Sequence, residues 1–299
     1  MNELSLAKKR INSLYRTPQN NIYSHRFFQD LCTGFSFALG ENTRENDFIY
    51  FEPAGCAIET LLRQNKHYNL SYEIEEVLYN VIGSLLRYGK AYLYLQPEYL
   101  ETDDHSQKNI SAVEMREILG YPSKKKSDTI QFYCKSFDGD VRKTELLSDG
   151  LIVFSLKDIG YQKNYFKKIV KRLGKLDTTA SATGLLTESI PGYDFSEHLK
   201  HNRLKVLRET KEIGWYFGTD GLSDSYILYR KIQQDKLKLV ILNYVVNKIN
   251  HAIKALLKDQ DAGEMKMRIK DHDYSQMWND YNAGHITASE LTRLLFSHH

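Results

Sequence analysis

The residues whose types and spacing best suit chemistry are cations in the segment 163–175. Four of them recur at the three- and four-residue spacing that places side chains on one surface of a helix. Ammonium and guanidinium groups in such a row suit phosphate oxygens, which they contact without reading a base sequence. With the flanking lysines included, the cations of this segment are Lys163, Lys167, Lys168, Lys171, Arg172 and Lys175.

Positive charge is concentrated locally rather than abundant in this chain. The 299 residues carry 41 Lys and Arg against 38 Asp and Glu, a net charge of +3. Residues 1–26 carry five basic residues against one acidic residue, and residues 163–212 carry eleven against six. A basic stripe on a near-neutral body suits a protein that touches phosphate without gripping it tightly. A solvated helix face carries the same pattern and is the alternative explanation.

Groups that could support catalysis or metal binding are scattered. The acids and histidine at 103–105 fall in a polar stretch predicted to be an exposed loop, where carboxyl groups make poor general acids. Residues 271–273 (Asp-His-Asp) could ligate a metal but are typical of a solvated loop, and Cys134 fits a buried strand position. No phosphate-binding loop, dinucleotide fingerprint, serine-hydrolase elbow or zincin motif occurs. We therefore expect no catalytic residue, no metal, no cofactor and no enzymatic activity.

Cysteine usage and hydropathy point to an intracellular chain. Cys32, Cys56 and Cys134 form no CxxC pair and are odd in number, which favours neither a zinc site nor a disulfide framework. The first residues lack the apolar core of a signal peptide. No segment approaches the roughly 18 apolar residues of a membrane span, so we expect none.

The elements that must position the cations follow from hydrophobic periodicity. In the first half it predicts two helices within 3–39, an extended segment at 47–53, a helix over 55–66 and a strand at 91–95. The most regular helix is predicted to begin with Ser71 as its N-cap. It ends at Gly89, where the missing Cβ permits a left-handed residue before the strand.

The second half combines hairpin signals with long helices. The pattern predicts loops at 101–109 and 122–127, a short helix at 111–119, and strands at 129–134, 141–146 and 151–156. Asp-Gly pairs at 138–139 and 149–150 suit tight turns between these strands, which with 91–95 would form one sheet. Helices follow from Tyr165, and the run from Leu222 to Lys258, without Gly or Pro, predicts one long helix.

Together these elements predict an α+β fold that is mostly helical, with a small, mostly antiparallel sheet and long central and C-terminal helices. We expect two domains. Residues 1–160 would hold the N-terminal helices and the sheet, and residues 161–299 the long helix and a C-terminal helical segment. The sheet region is rich in tyrosine, at Tyr88, Tyr92, Tyr94 and Tyr99. Such rings either pack a sheet face or stack on the bases of single-stranded nucleic acid.

Three segments resemble the portal proteins of tailed bacteriophages. Residues 85–93, LLRYGKAYL, are similar to that family's junction between a helix and a strand of the wing, with Lys90 in place of the usual asparagine. Residues 151–156 are similar to the strand that precedes the central helices, and residues 282–293 resemble a late helix start. In this last segment the spacing of a threonine and a glutamate predicts a capping box.

The resemblance implies a short, portal-like subunit of a homo-oligomeric ring with a wing-like sheet. Such a ring surrounds a DNA channel at a capsid vertex and passes double-stranded DNA through weak, sequence-independent contacts. In this interpretation the predicted nucleic-acid-binding residues are the cations Lys163, Lys167, Lys168, Lys171, Arg172 and Lys175. Terminase and a head-tail adaptor would be its partners, and the virion its location after synthesis in the host cytoplasm. Two alternatives are a cytoplasmic nucleic-acid-binding or adaptor module without ring assembly, and an enzyme with a site that carries no recognised motif.

Overall fold

The structure is a computed structural model, and it describes residues 22–33, 49–63, 70–99, 110–125, 128–135, 140–176, 194–217, 222–267 and 273–296. Within these residues the protein is mostly helical and α+β, with small antiparallel sheets and long helices, which confirms the predicted fold class. The predictions for 1–21, 101–109, 138–139 and 271–272 lie outside the described residues.

Eight α-helices and one short 3₁₀ helix lie in the described part of the chain. The α-helices are α1 (Ile22–Thr33), α2 (Ala57–Arg63), α3 (Leu70–Tyr88), α4 (Tyr165–Leu173), α5 (Phe195–Glu209), α6 (Asp224–Leu257), α7 (Tyr274–Asn282) and α8 (Ala288–Phe296). The 3₁₀ helix is Leu156–Ile159. The 34 residues of α6 confirm the long helix expected from the uninterrupted apolar pattern.

Eight strands form three small antiparallel sheets in the same described residues. The strands are β1 (Ile49–Glu52), β2 (Lys90–Tyr99), β3 (Ile110–Glu117), β4 (Gly120–Lys125), β5 (Thr129–Lys135), β6 (Val141–Leu147), β7 (Leu151–Ser155) and β8 (Glu264–Met267). The sheet orders are β1-β8, β3-β2-β7 and β4-β5-β6. The strands predicted to form one sheet therefore lie in two, β2 and β7 in one and β5 and β6 in the other, and the turn at 149–150 links strands of these two sheets.

Two predictions in the middle of the chain are wrong. The short helix expected at 111–119 is strand β3, in which Glu117 lies opposite Leu93 of β2. Its Ala, Glu and Met residues favour a helix locally, but pairing with β2 overrides that preference. The exposed loop expected at 122–127 includes β4, an edge strand whose register shifts after Pro122. A proline is tolerated at such an edge and bulge because it need not donate to the ladder.

The described residues form two compact units that interleave in sequence. The first unit contains the described residues within Leu39–Asn164 and Ile241–Ile269. The second unit contains the described residues within Pro18–Ala38, Tyr165–Val240 and Lys270–His299. The domains expected from the sequence, 1–160 and 161–299, were each continuous instead. The difference arises because α1 belongs to the second unit, and because α6 gives its first half to the second unit and its second half to the first.

The first unit is built around α3, which has apolar residues at helical spacing along its buried side. Ile74, Leu78 and Leu85 are almost completely buried. Ser71 is not the N-cap that was predicted, because the helix already includes Leu70. Its hydroxyl instead bonds to the backbone of Ile49, with the amide N–H donating at 3.3 Å, so it ties β1 to α3.

The junction from α3 to β2 takes the left-handed residue that the sequence predicted. Gly89 has a φ of +72°, and its N–H donates to the carbonyl oxygen of Leu85 at 2.8 Å. A Cβ at this position would also overlap the backbone carbonyl of Lys163. The glycine is therefore required twice, by its dihedral angle and by the close approach of another backbone segment.

Substitution at two glycines should separate these requirements. Gly160 also has a positive φ, +84°, but a Cβ there would meet nothing within 4 Å. We expect Gly160→Ala to lower the free energy of unfolding by about 1 kcal/mol from backbone strain alone. Gly89→Ala should lower it by roughly 2 to 4 kcal/mol because overlap adds to the strain. Urea unfolding measures both, and equal costs would show that the Lys163 contact is unimportant.

Candidate nucleic-acid interface

The cations predicted to contact nucleic acid lie mainly on α4, in the second unit. This helix buries Phe166, Ile169, Val170 and Leu173 on one side. The side chains of Lys167, Lys168, Lys171 and Arg172 are exposed on the other side. The alternation of apolar and basic residues at helical spacing fixes this orientation, because turning the helix would bury four charges. The charges are thus held at the surface by the packing beneath them.

The six predicted residues do not share one environment. Arg172 donates from Nη1 to Oε2 of Glu209 on α5 at 2.8 Å, so part of its charge is compensated within the unit. Lys175 is exposed in the turn that follows α4. Lys163 is also exposed but belongs to the first unit, where its backbone lies against Gly89. Lys167, Lys168 and Lys171 are therefore the central candidates.

Helix α5 extends the basic surface of the second unit and was not among the predicted residues. It packs against α4, and besides the Arg172 ion pair the hydroxyl of Tyr165 donates to Glu212 at 2.7 Å. Lys200 and Arg208 of α5 are exposed, Arg208 with 75% of its side chain accessible. The local surplus of cations in 163–212 indicates such a surface in the sequence. Only the packing of α5 on α4 brings the cations of the two helices together.

The other chemical candidates from the sequence have structural roles where the structure describes them. Asp273 caps α7 and accepts hydrogen bonds from the amides of Ser275 and Gln276 at 3.0 and 2.9 Å. Burial raises the pKa of Cys134, which opposes formation of a reactive thiolate. Among the described residues no group of His, Cys, Asp and Glu side chains could hold a metal ion. No helix in this part of the chain has the length and apolar character of a membrane span.

The tyrosines near β2 pack within the first unit. The ring of Tyr92 contacts Phe132 edge-on, with centroids 5.3 Å apart, and this joins two of the small sheets. Burial raises the pKa of the Tyr92 hydroxyl, and Tyr94 is only 8% exposed. Rings enclosed in this way cannot stack on bases, so the packing alternative holds for these two residues.

A cluster of polar side chains that the sequence did not indicate joins β7 to α6 in the first unit. The Asp158 carboxylate accepts from the Tyr244 hydroxyl at 2.6 Å and from Lys248 Nζ at 2.8 Å. The Tyr244 oxygen also accepts from the amide of Ser155 at 2.9 Å. Hydrogen bonding from Lys248 lowers the pKa of Asp158, and burial raises that of Tyr244. A neutral phenol that is already hydrogen-bonded suits docking of the strand on the helix rather than proton transfer.

The most unusual charge in the described residues is Arg230, a fully buried arginine on α6 in the second unit. Its guanidinium donates to the carbonyl oxygens of Leu207, at 3.1 Å, and Trp215, and to Thr210 Oγ1 at 2.7 Å. These acceptors lie at the end of α5 and just beyond it, where a helix dipole is negative. No carboxylate of the described residues bonds to it, and burial lowers its pKa. The helix end therefore stabilises the cation.

A second perturbed cation on α6 is Lys238, with 19% of its side chain exposed. Burial lowers its pKa from 10.5 to about 8, and the charge of Lys231 adds to this effect. Asp235 opposes the shift from 3.9 Å, but it also accepts a closer ion pair from Lys231 at 3.0 Å. One carboxylate is thus shared between two cations.

The chain was compared with protein-family models and with curated proteins. No protein-family model matches the chain, and no curated protein is similar to it. The residues that the structure brings together therefore carry the functional inference.

Replacing Arg230 should test whether its hydrogen bonds outweigh the burial of its charge. In Arg230→Met the three acceptors at the end of α5 lose a donor, and we expect the free energy of unfolding to fall by roughly 1 to 3 kcal/mol. Gln233→Met, a half-buried neighbour on the same helix, should be close to neutral. Guanidinium chloride unfolding measures both variants. An unchanged or higher stability of Arg230→Met would show that desolvation dominates.

The low pKa of Lys238 predicts a pH dependence of stability. Below pH 8 both states hold the proton, and the folded state bears the cost of a buried charge. Between pH 8 and 10.5 only the unfolded state retains it, so the free energy of unfolding should rise with pH. Each tenfold difference in proton affinity corresponds to about 1.4 kcal/mol.

Two neighbouring variants isolate this contribution. Lys238→Met should be more stable than the wild type at pH 7 and should lose the rise, because no proton remains to be released. Lys236→Met, which loses a hydrogen bond to Ser275 at 3.2 Å, should keep the rise. Chemical unfolding at a series of pH values measures it, and an identical profile for the wild type and Lys238→Met would contradict the assignment.

Proposed function

We propose that this protein is a portal-like ring subunit that forms a DNA channel at a phage capsid vertex and passes double-stranded DNA through weak, sequence-independent contacts. The observation that carries the proposal is the exposed basic side of α4, with Lys167, Lys168 and Lys171 held outward by a buried apolar side. Terminase and a head-tail adaptor are the partners that the proposal entails, and the virion is the location.

The local geometry at two of the portal-like segments supports the proposal. The helix-to-strand junction in 85–93 contains α3, a left-handed Gly89 and β2 in immediate succession. In 282–293 the amide of Glu290 donates to Thr287 Oγ1 at 3.2 Å, and the carboxylate of Glu290 accepts from the amide of Thr287 at 2.8 Å. This reciprocal pair is a capping box at the start of α8.

The character of the α4 surface supports a weak contact. Lysine ammonium groups act as point charges on flexible stems, so they attract phosphate without fixing a geometry. Arg172, which could hold phosphate with two parallel hydrogen bonds, is engaged with Glu209 instead. A few screened charges per subunit suit a duplex that must move, and many subunits would supply the total attraction.

A charge-reversal series tests the DNA contact. The variant Lys167→Glu/Lys168→Glu/Lys171→Glu should fold normally, because exposed charges contribute little to stability. Its affinity for duplex DNA should fall strongly and equally for two unrelated sequences, with a shallower dependence on salt. The matched control reverses three exposed lysines of the first unit, at Lys143, Lys157 and Lys258. Fluorescence anisotropy across a salt series, with melting curves, compares the variants.

The outcomes distinguish the proposal from its alternatives. Equal loss of affinity in both triple variants would show that net charge rather than α4 binds DNA. No duplex binding by the wild type at low salt would contradict the channel contact. Binding by a chain that sediments only at 34.9 kDa would favour an adaptor module without ring assembly.

A further inference from the structure

Helix α3 presents an exposed stripe that combines aromatic rings with charges. Tyr72 and Tyr79 are 45% and 36% exposed, and Glu76 and Arg87 are exposed along the same side of the helix. Gly83 lies on this side between them, and a Cβ added there would meet nothing within 4 Å. Glycine inside a helix is less stabilising than alanine, and here it leaves a shallow notch beside Tyr79.

Helix α5 presents a second exposed stripe of related composition in the other unit. Leu204 is 58% exposed, the highest value among the exposed large apolar side chains of the described residues. Exposed residues lie at helical spacing on either side of it, with Glu197 toward the start and Arg208 at the end. Arg208 approaches Glu209 only at 3.8 Å, so its charge remains largely unneutralised.

The two stripes match when the helices are set antiparallel. Glu76 precedes Arg87 by eleven residues, and Glu197 precedes Arg208 by eleven residues. At about 1.5 Å per residue both separations are roughly 16 Å. An antiparallel pair therefore places Glu76 opposite Arg208 and Arg87 opposite Glu197 in the same register. The helix dipole accounts for the base in the last turn of each helix and for the acid in the first turn of α5, but not for the equal separation.

The same register places the exposed leucine of α5 near an aromatic ring of α3. With Glu76 opposite Arg208, Leu204 falls opposite Asn80, next to Tyr79 and before the notch at Gly83. An aliphatic side chain would then cover an aromatic face at the centre of the contact, with ion pairs at both ends. An apolar centre with a charged rim is the usual arrangement of a protein interface.

We infer that the α3 stripe of one copy of this chain docks antiparallel on the α5 stripe of a second copy. The two stripes are different surfaces, so the contact is head-to-tail. In a pair of copies, each copy therefore keeps one stripe that can dock a further copy. Such contacts propagate into a ring or an open filament. The inference rests on the ring assembly proposed above and names the surfaces that would form it. It does not depend on DNA contact by α4.

Charge reversal with mixing tests the docking. Glu76→Arg and Arg208→Glu should each weaken self-association about tenfold or more, because each places like charges opposite one another. An equimolar mixture of the two variants should recover wild-type association. When the two variants alternate, the charge at position 76 always meets the opposite charge at position 208. Asp261→Arg and Lys143→Glu, exposed reversals outside both stripes, are the matched controls. Sedimentation velocity reports mass, and circular dichroism melting confirms folding.

Each result decides the inference. Wild-type mass above 34.9 kDa, loss in each single variant and recovery on mixing support it. A wild-type monomer at the highest soluble concentration overturns both this docking and ring assembly. A wild-type oligomer that neither reversal affects overturns the docking alone. Loss without recovery on mixing shows that the stripes do not meet between copies. The α4 triple variant should keep the wild-type mass of the assembly. A failure of DNA contact is therefore distinguished from a failure of docking.

Discussion

The constraint on which the rest of the structure depends is the burial of α6, because both units take residues from this helix. In the first unit Val245, Ile249 and Ile253 are buried, and in the second Leu228 and Ile232 form a cluster with Leu291 of α8. A helix with no glycine or proline offers no internal point at which the chain can turn. The other elements of each unit therefore pack against that unit's own part of one uninterrupted helix.

Close backbone approaches then set the details of packing. Gly89 accommodates the carbonyl of Lys163, and Gly214, with a φ of +81°, lies against the backbone of α6 at Arg230. The chain beyond α5 is thereby brought to the point where the Arg230 guanidinium reaches its carbonyl oxygens. Trp215 continues this arrangement, since its indole N–H donates to Asp30 of α1 at 3.0 Å. One buried cation thus holds the end of α5 and the segment that follows it against α6.

Charge has two distinct roles in this protein. Arg230 in the interior and the partly exposed Asp158 cluster are held by fixed hydrogen bonds and contribute to docking of elements. Outside, the cations of α4 and the stripes of α3 and α5 are carried on helices whose apolar sides fix their direction. The exposed charges are screened and cost little to keep. They are therefore suited to reversible contacts with phosphate or with another copy, which is the basis of both proposals.

The sequence by itself determined the elements with strong local signals: α6, the end of α3 at Gly89, the capping box of α8 and the amphipathic basic helix α4. Periodicity and capping depend on residues within a few positions of one another. Tertiary structure decided β3, the division into three sheets and the Arg230 and Asp158 contacts, because these join residues far apart in the chain. Asp158 and Tyr244, for example, are separated by 86 positions. Pairing across such distances overrides local preference, and residues close in the sequence do not indicate it.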